Sequence, residues 1–275
     1  MSIWCKLAHR RHWWTRIPGF LSVCDKCGRE WRDMNGLSAN KSGTIPVFVI
    51  NLKESVSRRE HMTRELAKAE IPFTLIPAVS GKDVAETMGT VSRNQTACAL
   101  SHLHALTLIA EGKEDFGAIF EDDIDVLPEA RQFLETATLR SLPRFDVMQL
   151  FNCATRSALT INVARVGADR GYDICARSRP FMGMQALIYH KAGAQRIVRA
   201  ITEISAPIDE MLFAKTRAFG LRVVSVQPGV VRFAGFPSTI AVQGPKARNR
   251  PLRELIRGAN CLRRAASFAL ASVMR

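Results

Sequence analysis

Four carboxylates within five positions, Glu121, Asp122, Asp123 and Asp125, follow directly on the apolar run Gly117-Ala118-Ile119-Phe120. A β-strand ending there delivers them together to one edge of a sheet, where like charges a few ångströms apart repel and raise one another's pKa. A divalent cation relieves that crowding and can bridge to phosphate oxygens at the same time. Carboxylates are hard donors, so Mg2+ or Mn2+ fits, with a diphosphate as companion ligand. Composition alone is equally consistent with a solvated acidic turn, or with the cap of a helix starting near Pro128.

A second set of donors lies near the N-terminus. Cys5-x3-His9, then fourteen residues, then Cys24-x2-Cys27-Gly28, offers two ligand pairs at spacings that suit tetrahedral Zn2+, with His12 as a substitute for His9. A module of about 40 residues needs such a metal to be stable. The competing reading is a basic, Trp-rich segment with coincidental cysteines, its Trp4, Trp13, Trp14 and Trp31 exposed or at a membrane interface. The form Cys-x-x-x-His followed by Cys-x-x-Cys-Gly resembles the short knuckles of phage-type small proteins. Of seven cysteines only Cys24 and Cys27 are closely paired, which is no disulfide framework. No signal-peptide pattern follows Met1, so a reduced, cytoplasmic setting is expected.

The elements that would position the acidic cluster read as alternating strands and helices. Ile45 to Leu52 is a continuous apolar run rich in β-branched residues, suited to a buried parallel strand. Ser55 to Ala69 places Val56, Met62, Leu66 and Ala69 at helical intervals, and strand character returns from Ile71 to Val79. A helix from Thr96 to Glu111 groups Ala99, Leu103, Leu106 and Ile109 on one face, with the strand Phe116 to Phe120 after it. Further strands are expected at 145–151, 185–189 and 221–226, with helices over 191–203 and from near Ile208. This alternation predicts an α/β fold of Rossmann type, whose ligands bind at the carboxyl ends of the strands.

The chain has 275 residues and a formal charge of +14, with Lys and Arg crowded into residues 6–32 and 246–275. Its partners should be anionic: phosphorylated substrates, an anionic membrane leaflet or nucleic acid. The polar stretch 33–44 reads as a linker, dividing a small N-terminal module (1–40) from a catalytic domain (45–235). Residues 252–274 mix arginines with Leu, Ile and Phe, a basic amphipathic helix suited either to a membrane surface or to packing on the domain.

Several segments, in order and spacing, resemble glycosyltransferase family 25. They are Val49-Ile50-Asn51-Leu52 with Arg58-Arg59, Ala97-Cys98-Ala99-Leu100-Ser101-His102, Ile119-Phe120-Glu121-Asp122-Asp123, and Pro207-Ile208-Asp209. Gly183 with Tyr189-His190-Lys191-Ala192-Gly193-Ala194 resembles a further block, and the likeness runs from about residue 45 to 232. The segment before Cys98, with Thr96 and Ala97, departs from a family pattern that often carries Gly.

What the resemblance implies is a GT-A-like nucleotide-sugar fold, a UDP-sugar donor, galactose as first choice of sugar, a divalent metal and inversion at the anomeric carbon. Glu121 and Asp123 would take the family's D-x-D-like positions, Asp123 ligating the metal and Asp122 touching ribose or sugar; Asp125, from the acidic cluster itself, is a second candidate metal ligand. Asp209, at a helix start whose N–H groups favour negative charge, is the candidate base, with Glu210 as alternate; without the family match Asp209 reads as a helix cap.

Arg58 and Arg59 are candidates to offset charge on the departing UDP, or are exposed charges on a helix face. Asn51, Ser101 and His102 are candidates to touch the donor, against local structural roles for each. The acceptor would be a lipid-linked lipopolysaccharide glycan at the inner leaflet. Two rivals remain: a nucleic-acid-binding protein, which the acidic cluster disfavours, and an inactive transferase-like assembly partner.

Overall fold

The computed structural model describes residues 43–84, 91–152, 160–167, 171–177, 179–214 and 219–237, together with the backbone of three short N-terminal strands. Those strands, β1 (Trp14–Ile17), β2 (Leu21–Cys24) and β3 (Glu30–Arg32), form an antiparallel sheet in that order. Cys5, His9 and Cys27 lie outside the described residues, and Cys24 is described only by its backbone, as the last residue of β2. The basic segment 246–275 also lies outside them.

The body of the protein is an eight-stranded mixed sheet. Its strands are β4 (Val47–Asn51), β5 (Thr74–Pro77), β6 (Phe116–Glu121), β8 (Val147–Gln149), β9 (Thr160–Val166), β10 (Tyr172–Arg177), β11 (Ala186–His190) and β12 (Val223–Gln227). Across the sheet they stand in the order β5-β4-β6-β11-β8-β12-β10-β9. The registers make β4, β5, β6, β8, β9 and β12 run one way and β10 and β11 the other. A separate ribbon pairs β7 (Ile124–Val126) with β13 (Val231–Phe233).

Strand β4 shows why the apolar run had to be central. All five of its residues are buried, and parallel partners flank it on both sides, β5 and β6. An uninterrupted Val/Ile/Phe run is what a strand covered on both faces requires.

Among the described residues four α-helices connect and cover the strands: α1 (Val56–Lys68), α2 (Arg93–Glu111), α3 (Thr136–Ser141) and α4 (Lys191–Ala200). Helix α1 buries Met62 and Leu66 completely, but Val56 is 47% exposed and Arg58 turns inward in its place. The apolar periodicity therefore assigned the first turn to the wrong side, because a buried ion pair, described below, outweighs one exposed valine.

Helix α2 starts three residues before the apolar pattern does. Ser92 Oγ accepts from the Gln95 amide at 3.2 Å, and the Gln95 side chain accepts from the Ser92 amide at 2.9 Å, a reciprocal cap that fixes the start. The helix then buries Ala99, Leu103, Leu106 and Ile109, as its spacing predicts. At Pro128, where the alternative reading of the acidic cluster starts a helix, the chain forms a 3-10 segment, Pro128–Leu134.

Candidate active site

Because β4, β5 and β6 run parallel, their carboxyl ends share one edge of the sheet. Asn51 closes β4, the loop Ala78–Lys82 follows β5, and Glu121 closes β6 with Asp122 and Asp123 next. The reversed strand β11 begins at this same edge, where the Glu121 amide donates to the Gln185 carbonyl at 2.8 Å. Together with the N-terminal half of α2 and the segment Pro207–Glu210, these ends line a cleft of 670 Å³. That volume lies within the range of small-molecule sites.

Within the acidic loop the carboxylates have separate fates. Asp122 is 7% exposed, and both its oxygens are engaged: Oδ1 accepts from Arg58 Nη1 at 2.8 Å and Oδ2 from Asn51 Nδ2 at 2.7 Å. Asp122 lines the cleft, and its oxygens anchor the acidic loop to β4 and α1. Arg58 also donates through Nη2 to the Pro237 carbonyl at 2.6 Å, and its guanidinium stands 5.5 Å from the Phe236 ring centre. It ties the acidic loop to the chain after β13, a structural duty that competes with neutralising a leaving group.

Asp123 also lines the cleft. Its Oδ2 lies 3.3 Å from Arg58 Nη1, while its buried Oδ1 has no hydrogen-bond partner among the described residues. Burial first, then the charge of Glu121 and that of Asp122, raise its pKa to about 6, partly countered by Arg58. An under-partnered buried oxygen costs roughly 1–3 kcal/mol. That penalty is retained where a ligand removes it.

Glu121, intermediate in exposure, places Oε1 3.1 Å from His102 Nε2. His102 is 1% exposed, so α2 holds its ring inside the wall of the cleft. Cys98, one turn earlier, lines the same wall, and burial, with Glu121, Asp209 and Asp123, pushes its thiol far above the ordinary range. Ser101 is a lock: its hydroxyl donates to the Ala97 carbonyl at 2.8 Å and accepts from the Val79 amide at 2.8 Å, fixing α2 to the loop after β5.

Asp209 and Glu210 both line the cleft, and Asp209 Oδ1 accepts from the Glu210 amide at 3.0 Å. The helix expected from Ile208 begins there, and Glu210–Ala214 forms a π-helical turn. Asp209 is therefore inside the first turn rather than its cap.

Asp125 and Arg59 are not brought to the cleft. Asp125 sits on β7, 45% exposed by side chain, with Oδ1 3.1 Å from His61 Nε2. The bend at Asp122 and Asp123 explains this, since Asp123 precedes β7 whereas Asp125 lies within it, in a different ribbon. Arg59 Nη1 donates to Asn51 Oδ1 at 3.2 Å and to the Lys53 carbonyl at 3.1 Å, supporting the turn after β4.

Several cleft residues escaped the sequence reading. Lys82 is exposed after β5 and lines the cleft. Its signal was positional, as it follows a parallel strand at the carboxyl edge. Phe233 and Phe236 also line the cleft, from a segment tied to the acidic loop by the Ala234 amide donating to the Asp123 carbonyl at 2.9 Å. Gly183, part of the further family block in the sequence, also lines the cleft; its φ is +112°, and a Cβ there would fall 2.4 Å from the Gln185 side chain. Only glycine suits that backbone. Tyr189 and His190, by contrast, serve the fold: Tyr189 is wholly buried on β11, and His190 Nδ1 accepts from the Ala192 amide at 3.1 Å as the cap of α4.

Open α/β sheets bind their ligands in the crevice at the carboxyl ends of the strands, and the cleft lies at that edge. Residues 44–212, more than half of the chain, match the model of glycosyltransferase family 25 (LPS biosynthesis protein), and the chain belongs to that family. It is 32% identical over 100 residues to a putative glycosyltransferase of Haemophilus influenzae, covering 32% of this chain and 36% of that protein. It is also 32% identical over 96 residues to procollagen galactosyltransferase 1-A of Xenopus laevis, covering 28% of this chain and 16% of that one. The chain thus matches about a third or less of the length of these relatives. A solved glycosyltransferase involved in glycosylation of the major capsid of PBCV-1 is similar at a TM-score of 0.42 and 12% identity, over 71% of this chain and 94% of that one.

Proposed function

We propose that the protein is a metal-dependent, inverting glycosyltransferase with a GT-A-like catalytic domain. It moves a sugar, galactose in the first instance, from a UDP-sugar to a hydroxyl of a lipopolysaccharide or lipooligosaccharide glycan. The observation that carries this reading is Asp123: a desolvated carboxylate with one unpartnered oxygen, beside Glu121, at the strand edge of a ligand-sized cleft. Family membership supports the same reading.

The donor set fits a hard divalent ion, because Asp123 and Glu121 present carboxylate oxygen and Asp123 gains from a nearby positive charge. When bound, Mn2+ or Mg2+ would supply positive charge against the diphosphate of the donor. The chain's own residues do the rest. Asn51 and Arg58 hold Asp122, and through it the loop that carries Asp123, in a fixed position. Lys82 at the rim offers a cation to phosphate oxygens. Asp209 takes the proton of the acceptor hydroxyl as its oxygen bonds to the anomeric carbon and the bond to UDP breaks, with Glu210 the alternate base. Attack from the face away from UDP inverts the configuration.

The lipid-linked acceptor gives the basic segment 246–275 a use at the cytoplasmic leaflet of the inner membrane, and Cys5, His9, Cys24 and Cys27 are proposed to hold a structural Zn2+. No helix among the described residues is long and apolar enough to cross a membrane. A thermal-shift screen of nucleotide sugars with and without Mn2+, followed by product analysis, tests the central reading. Stabilisation by UDP-sugars that depends on Mn2+ is expected, whereas stabilisation by no nucleotide sugar would refute it.

A further inference from the structure

The wall of the cleft carries a second group of donors with different chemistry. Cys98 and His102 are four residues apart on α2, which places their side chains on one helical face. Strand β6 brings Glu121 against them, with His102 Nε2 3.1 Å from Glu121 Oε1. One donor atom from each residue, thiol, imidazole and carboxylate, lies within 4.8 Å of the other two. Tetrahedral zinc, with bonds of ~2.3 Å to sulfur and ~2.0 Å to nitrogen or oxygen, sets its ligands roughly 3.5 Å apart. Small side-chain movements would close these three on one ion.

A separate observation points the same way. His102 is 1% exposed, its Nδ1 has no hydrogen-bond partner among the described residues, and its other nitrogen is aimed at Glu121 on the cleft. The ring is buried for little gain in hydrogen bonding, at a place where its inward nitrogen meets a thiol and a carboxylate.

We propose that Cys98, His102 and Glu121 bind a thiophilic divalent cation of the zinc class, at a position apart from the hard-cation position at Asp123. Sulfur and imidazole select zinc over Mg2+ or Mn2+, while a donor pair of carboxylates such as Asp123 and Glu121 does the reverse. Binding replaces the Cys98 S–H bond by an S–metal bond and releases the proton to solvent. Three protein ligands leave the fourth position to water or to an oxygen of whatever occupies the cleft, since all three residues line it. Glu121 belongs to both groupings, so a zinc ion on Cys98 and His102 draws it away from the hard cation. On the transferase reading above, zinc at one equivalent therefore inhibits Mn2+-supported transfer.

The test uses the full chain with Cys5, Cys24 and Cys27 replaced by serine, so that the N-terminal cysteines contribute nothing. Titration with Co2+ should give a near-ultraviolet thiolate-to-cobalt absorption saturating at one equivalent and abolished by Zn2+. The band should be lost in Cys98→Ala and in Cys98→Ser, both checked for folding by circular dichroism, and kept in Asp123→Asn. Absence of the band, or an equal band with and without Cys98, overturns the proposal. Mn2+-dependent binding of UDP to the same protein is scored separately. UDP binding without the cobalt band removes the thiophilic site alone, and the band without UDP binding removes the transferase reading alone.

Discussion

Two aspartates at opposite edges of the sheet, one buried and one half-buried, meet opposite fates. Asp146 stands just before β8, at the edge where β8 and β12 begin, and is 1% exposed. It is fully matched: Arg196 pairs with Oδ1, while the Arg222 amide donates to Oδ2 at 2.7 Å and Arg222 Nε stands 3.4 Å from it. Asp123, at the edge where β6 ends, keeps a buried oxygen without a partner among the described residues and a pKa raised to about 6. The fold can satisfy a buried carboxylate where it serves only to tie β8, β12 and α4 together. It leaves one oxygen of the half-buried Asp123 without a partner among the described residues where the cleft opens.

The comparison can be broken in several ways. The largest expected effect is on turnover: Asp123→Ala should lower Mn2+-dependent transfer by about 10³-fold with the fold intact by circular dichroism, a loss typical of removing a preorganised electrostatic contact. Asp146→Ala should do the converse. Leaving Arg196 and Arg222 without their shared anion should cost about 3 kcal/mol in denaturant unfolding, while nucleotide affinity of the folded fraction stays unchanged. Equal stability losses from the two substitutions would erase the distinction.

Next in size, Asp209→Ala should reduce transfer by roughly 10²-fold with donor affinity retained, as expected for loss of a general base. Weakened donor binding with normal turnover would argue against that role. The pH dependence follows from Asp123. Its folded-state pKa of about 6 lies above the unfolded value near ~4, so the folded protein binds more protons between the two. Metal-free stability should therefore fall as pH rises through that window and level off above it, and Asp123→Asn should remove this slope. Because Mn2+ competes with the same proton, its affinity should rise towards a plateau above about pH 6. The smallest effect belongs to Arg59→Ala, where loss of two partly exposed hydrogen bonds should change stability by less than about 1 kcal/mol and leave turnover intact.

Much of the fold could be read from local patterns, because β4, β6, α2 and α4 each carry a periodicity that tertiary packing only reinforces. The β9–β10 hairpin could not, as its strands are largely exposed or intermediate and are specified by pairing to β12 rather than by an apolar run of their own. The ribbon of β7 and β13 joins segments about a hundred residues apart in the chain, which no local pattern encodes.

The site shows the same division. Glu121, Asp123, Asp209 and His102 were legible as residue types following strands and helices, and they meet in one cleft. The engagement of Asp122 was not, since it depends on Asn51 and Arg58 approaching from β4 and α1. A run of carboxylates gives no sign of which member will be neutralised by a distant arginine. Lys82 and Phe236 were missed for a related reason, lying in loops whose place at the cleft is decided by strand order alone.

Isothermal titration of UDP into the protein with and without Mn2+, for the native chain and Asp123→Asn, reaches the central claim most directly. Binding that requires Mn2+ and disappears in Asp123→Asn is the predicted result. Mn2+-dependent binding of equal strength in the two proteins would contradict the assignment of Asp123 as the cation's ligand.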